Sequence, residues 1–130
     1  MPDNLKLAYE KFINANKMLQ QFIKADRNDE LSRAGIVHGF EFTFELFWKF
    51  LQRYLEQFEV LEERGPSSVI KTAFEYKYIK DGQKYMDMLR DRNLITHTYN
   101  EETAKEIYER IKNIHVNTLK NFIKEINEKF

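Results

Sequence analysis

Gly35-Ile36-Val37-His38-Gly39-Phe40-Glu41-Phe42-Thr43-Phe44-Glu45-Leu46-Phe47-Trp48-Lys49-Phe50-Leu51-Gln52-Arg53-Tyr54-Leu55 is the most apolar stretch of the chain. At ~100° per residue, Ile36, Phe40, Phe44, Phe47, Leu51, Tyr54, Leu55 and Phe58 fall in one helical stripe. Phe42, Leu46 and Phe50 lie on a flank well round from it. Between the two sets remains a narrow polar wedge of Glu41, Glu45, Lys49, Gln52 and Glu56. A helix wetted only along a wedge packs on more than one side. Either it is the central helix of a bundle, or its second face meets another subunit. With His38, Glu41, Glu45, Lys49 and Arg53 inside it, the stretch carries too many charges for a membrane span.

Outward from this segment the chain reads as helix throughout. Two prolines and four glycines are too few breakers for a chain of hairpins. Before it, Leu5, Tyr9, Phe12, Ile13, Leu19, Phe22 and Ile23 trace one face of a helix from about Asp3 to Ala25. Asp26-Arg27-Asn28-Asp29 is the turn, and the second helix starts near Asp29 or Ser32 and runs to about Phe58. After it, Pro66 suits the first residue of a short helix, roughly Ser67 to Tyr76, with Val69, Ile70, Ala73 and Phe74 inward. A fourth helix, about Gln83 to His97, follows Asp81 as N-cap. Asn100 caps the last, whose face is Ile107, Tyr108, Ile111, Ile114, Leu119, Phe122, Ile123 and Ile126. The expectation is an all-α, up-and-down bundle of four main helices plus a short fifth, forming one domain over residues 1–130.

Composition narrows the function. Lys plus Arg equal Asp plus Glu at 21 each, so bulk charge does not drive binding to nucleic acid or membrane, though a small local RNA site remains open. Phe and Tyr number 11 and 7, enough for a Phe-rich core with some aromatic surface left to meet another subunit. The absence of cysteine excludes disulfides, thiolate zinc sites and Cys nucleophiles. The N-terminus lacks the pattern of a signal peptide, and the cytoplasm is the expected compartment.

The fourth helix breaks its own pattern. Its stripe of Tyr85, Met88, position 92, Ile95 and Tyr99 meets Arg at 92, and the neighbouring row meets Asn93, with His97 a turn beyond. Arg, Asn, Thr96 and His therefore stand where packing alone would place Leu or Ile. A buried Arg needs a partner or a wet cleft, and Glu41 and Glu45 of the wedge are the candidate structural partners. On that account the cluster only holds the bundle together. On the other, Arg supplies a fork for a phosphate and His a general acid or base, with no metal or other cofactor required. His38 and His115 read as isolated, and no helix carries a metal-binding spacing.

Arg92, four intervening residues and His97 resemble the Arg-to-His motif of the HEPN superfamily, and Tyr99 matches its longer Arg-Asn-x-x-x-His-x-Tyr form. The run Phe40 to Lys49 resembles the second-helix signature of the nucleotidyltransferase substrate-binding-protein-like family. Gly65-Pro66 with Val69-Ile70-Lys71-x-Ala73-Phe74, and Asp87-Met88-Leu89, are similar to that family too. The resemblance implies a helical bundle, usually a homodimer, encoded beside a minimal nucleotidyltransferase. It further implies, from related HEPN toxins, a metal-independent ribonuclease site at the dimer interface. Carried over by residue, Arg92 and His97 would be catalytic, Asn93 supporting, and Tyr99 the tyrosine that a partner transferase adenylylates. No Gly-Ser followed by paired Asp residues is present, so transferase chemistry would come from the partner.

Three readings follow. The leading one is a non-catalytic partner or substrate-binding subunit of a separate minimal nucleotidyltransferase, in a toxin–antitoxin-like pair. The alternative is a HEPN endoribonuclease toxin that uses Arg92 and His97 on RNA and is silenced at Tyr99. A structural dimerisation domain is the third.

Overall fold

The computed structural model of the chain describes residues 1–58, 61–97 and 100–129. Within them the chain forms α1 (Asp3–Lys24), α2 (Glu30–Phe58), the short α3 (Pro66–Glu75) and α4 (Gly82–His97). The last helix, α5, is α-helical over Glu101–Arg110, π-helical over Ile111–His115 and α-helical again over Val116–Glu128. This is the expected bundle of four main helices and a short one, with no strand among the described residues.

Local chemistry sets the boundaries. The Asp29 carboxylate accepts the Ser32 amide at 2.8 Å, and the Asn100 side chain accepts the Thr103 amide at 2.9 Å. Each satisfies a donor that the first helical turn leaves unpaired. Pro66 occupies the first turn of α3, where its missing N–H costs nothing. At the start of α4, a Cβ on Gly82 would lie 3.0 Å from Cδ1 of Phe74, so glycine lets the α3–α4 corner close. The turn between α1 and α2 is tied to α5: Asp26 accepts the Tyr108 hydroxyl and, at 3.0 Å, the Lys112 ammonium.

Of the two placements open to α2, the central one is realised. The Phe47 ring has neighbours on three other helices: Phe12 of α1 at 5.8 Å, Tyr85 of α4 at 5.7 Å, and Phe122 of α5 edge-on at 4.8 Å between centroids. Such tilted and edge-on arrangements suit the ring quadrupoles and add to the area buried. The flank expected for another subunit divides. Phe50 is fully buried against Tyr9 and Phe12, because α1 lies along that side of α2. Leu46 is half-buried against the same core, and only Phe42 stays open, 52% exposed. Phe22, Phe58 and Phe74, assigned inward by their spacing, are also exposed, Phe22 the least at 39%.

In α5 one expectation inverts. Ile114 points outward and His115 is buried. The i→i+5 winding of Ile111–His115 advances less angle per residue than an α-turn. It swings Ile114 off the core line and carries His115 onto it. His115 is therefore not isolated. Its Nε2 donates to Oδ2 of Asp91 at 2.6 Å, and its ring stacks on Phe40 at 5.1 Å. Asp91 also accepts two bonds of 2.8 Å from the Arg110 guanidinium. A carboxylate only 1% exposed is thus matched by an ion pair and a buried donor, the condition under which a charge can remain in an interior. Burial alone would raise the Asp91 carboxyl, but the bonds from His115 and Arg110 and the Arg110 charge hold it below its ordinary 3.8.

A pH dependence follows. Because the folded value lies below the unfolded one, Asp91 contributes stability that is full above the unfolded value and is lost as pH falls through the folded value. Asp91→Asn removes the charge and leaves Arg110 half-buried without its partner, which is expected to cost about 3–5 kcal/mol at neutral pH. It should also flatten the acid limb. Urea unfolding of parent and variant from neutral pH into the acid range is the check; identical acid limbs would contradict the assignment.

Candidate functional site

The inward row of α4 is Tyr85, Met88, Asp91 and Ile95, so the polar residue on the apolar seam is Asp91, not Arg92. Both positions satisfy three- or four-residue steps from Met88 to Ile95, and spacing alone does not choose between them. Arg92 stands one position round, at the border of the seam, with 24% of its side chain exposed. Asn93, Thr96 and His97 are exposed on the outer face. The cluster read as an interruption of the core is therefore a surface feature beside it.

Arg92 is held in place from two sides. Its Nη2 donates to Oε2 of Glu45 at 2.8 Å and its Nη1 to Oδ1 of Asn93 at 3.0 Å. The same Glu45 oxygen accepts the Trp48 indole N–H at 3.1 Å, and Lys49 lies 3.5 Å from the other oxygen. Partial burial would raise the Glu45 carboxyl, but the bonds from Trp48 and Arg92 and the charges of Arg92 and Lys49 hold it below its usual 4.5. Glu45, rather than Glu41, is thus the partner of Arg92. Glu41 sits 3.6 Å from Nδ1 of His38 and 3.5 Å from the Thr96 hydroxyl, which also reaches the Arg92 carbonyl at 3.2 Å. His38, read as isolated, belongs to this group.

These side chains line an open hollow of about 360 Å³ between α2 and α4: His38, Glu41, Phe42, Glu45, Arg92 and Thr96. Among the described residues, two of the five guanidinium N–H donors of Arg92 have a partner, Asn93 and Glu45. His97 does not line it. It lies in the last turn of α4, exposed, one turn beyond Asn93, with no hydrogen bond between the two among the described residues. Thr98 and Tyr99 lie outside the described residues. Arg92, Asn93, Glu41 and Glu45 are therefore brought together, and His97 stands beside them on the same helix.

Sequence reasoning missed Asp91, Arg110, His115 and the His38–Glu41 pair. His38 precedes Glu41 by three residues, a spacing that places both on one helix face. For Asp91 and His115, 24 residues apart, no local signal exists. No group of three or more His, Cys, Asp or Glu side chains placed to hold a metal occurs among the described residues. No described helix is long and apolar enough to cross a membrane.

The chain as a whole is similar to known proteins. A probable ribonuclease HepT from Haemophilus influenzae is 30% identical over 82 residues, 60% of this chain and 56% of that protein, so the match spans little more than half of the curated relative. A crystal structure of a protein from Thermus thermophilus superposes with a TM-score of 0.78 at 31% identity, covering 87% of this chain and 96% of that one. A tri-AMPylated HEPN toxin from Shewanella oneidensis, solved in complex with an MNT antitoxin, superposes with a TM-score of 0.81 over 98% of this chain and 99% of that one. At 15% identity this last likeness is one of fold. Residues 7–128 match the family described as nucleotidyltransferase substrate binding protein like, and the chain belongs to that family.

Proposed function

We propose that the chain is the HEPN-type partner of a separate minimal nucleotidyltransferase in a toxin–antitoxin-like pair, and that Arg92 and His97 are its half of a metal-independent endoribonuclease site completed by a second copy. The observation that carries this is the clamped Arg92, its guanidinium held by Glu45 and Asn93 at the wall of an open hollow, with an exposed His97 on the same helix. An ordinary surface Arg gains little from a fixed geometry. Here a half-buried carboxylate with three donors around it orients the fork, as anion recognition needs. The ribonuclease name of the Haemophilus relative and the antitoxin complex of the Shewanella neighbour support the same reading.

In this mechanism Arg92 binds the non-bridging oxygens of a phosphodiester. His97 takes the proton of the adjacent ribose 2′-hydroxyl, whose oxygen attacks phosphorus. The P–O5′ bond breaks, leaving a 2′,3′-cyclic phosphate, and the imidazolium of the second His97 gives its proton to the departing 5′-oxygen. Phe42, exposed at the rim of the hollow, is the proposed dimer contact. Tyr99 is the proposed acceptor of an adenylyl group from the partner. The non-catalytic reading, a substrate-binding subunit only, is favoured by one observation: Glu45 already neutralises Arg92. The register-fixing polar group of the purely structural reading is supplied by Asp91 instead.

Three outcomes are expected. Arg92→Ala and His97→Ala each lower cleavage of RNA by at least ~10²–10⁴-fold with the helical circular dichroism unchanged; cleavage retained in both leaves the binding-subunit reading. Phe42→Ser shifts sedimentation from dimer to monomer, and a parent chain already monomeric at micromolar concentration removes the dimer. Incubation with the partner transferase and ATP places an adenylyl adduct on Tyr99 by peptide mass spectrometry; an adduct on Tyr85 or Tyr108 instead defeats that assignment.

A further inference from the structure

A second hollow, about 230 Å³, opens between α1 and α2 and is lined by Leu7, Lys11, Leu46, Lys49, Phe50 and Arg53, with Asn4 and Ala8 at its edge. Three cations stand around an apolar floor, and no carboxylate lines it. In a chain of zero net charge this local excess is offset elsewhere, for example at Glu62, Glu63 and Glu75 around a hollow beside α3. Lys11 and Arg53 are exposed, and neither is engaged in an ion pair among the described residues.

The hollow shares no lining residue with the Arg92 site but is linked to it through one carboxylate. Lys49 reaches Oε1 of Glu45 at 3.5 Å, while Oε2 of the same carboxylate holds Arg92 at 2.8 Å. Along α2, Glu45, Lys49 and Arg53 follow at four-residue steps, about 6 Å of rise each. Consecutive phosphates of an extended single strand are separated by a comparable distance. We propose that Lys11, Lys49 and Arg53 form a phosphate track that holds single-stranded RNA beside the phosphodiester bound at Arg92, the apolar floor of Leu7, Leu46 and Phe50 lying under a base or ribose. The proposal rests on the ribonuclease reading above and adds to it the path of the strand. Cations on a backbone track give affinity without sequence preference and a strong dependence on salt.

The test uses the full chain carrying His97→Ala, which prevents cleavage, and a fluorescein-labelled oligouridylate whose anisotropy is followed through a KCl titration. Adding Lys11→Gln and Arg53→Gln removes two phosphate contacts. The slope of log K against log salt should become shallower by roughly 1.4, about 0.7 for each contact on a single strand. The charge-matched pair Lys71→Gln and Lys84→Gln, on α3 and α4, should leave the slope unchanged. Tight oligouridylate binding with the same slope in both double variants overturns the track and leaves the ribonuclease reading standing. Absence of oligouridylate binding by the His97→Ala chain, together with absence of RNA cleavage by the parent, overturns the ribonuclease reading and the track with it.

Discussion

The carboxylate of Asp91 is sealed inside the bundle with one imidazole nitrogen and two guanidinium nitrogens against it. Those three contacts join α4 to two successive turns of α5. The π-helical stretch between Arg110 and His115 is what lets both reach the same acid. An interior charge with its partners in place is not a large net source of stability, but one deprived of them is strongly destabilising. A neighbouring register of α5 against α4 would separate Asp91 from these partners and carry that penalty. The apolar contacts around Phe47 are non-directional and would tolerate more than one register.

Once α4 is fixed from behind by Asp91, its outer border is fixed as well. Arg92 follows Asp91 directly in the chain, so its side chain emerges at the edge of the same packed surface, against the polar wedge of α2. There Glu45, drawn down by Trp48, Lys49 and Arg92, completes the clamp. Two adjacent residues of opposite charge thus have opposite fates. Asp91 holds the helices together, and Arg92 is left as an oriented cation at an open hollow, the arrangement on which both the proposed phosphodiester chemistry and the proposed basic track rest.

Much of the fold was legible because its signals are local. Asp29 and Asn100 announce helix starts through bonds to amides three residues on, and Pro66 through its fixed φ. The phenylalanine spacing of α2 foretold a helix packed on several sides. The errors arose where a helical wheel offers two adjacent residues for one place: 91 or 92 on α4, and 114 or 115 on α5. Each choice was decided by a partner distant in sequence, and the second also by a change of helical winding. Phe50 was displaced to the core for a similar reason, since only the path of α1 decides whether that flank is covered. At the site, the Arg92–Glu45 pair could be anticipated from complementary charge on facing helices, whereas the role of Trp48 in orienting Glu45 could not.

The central claim is this division of labour between neighbours, and the unfolding free energy of Arg92→Ala tests it most directly. If Arg92 is a partly exposed, oriented cation at the border of the core, removing it should cost no more than about 2 kcal/mol in urea at neutral pH. A loss of about 3–5 kcal/mol, the size expected for breaking a buried ion pair, would place Arg92 among the groups that hold the bundle together and contradict the account.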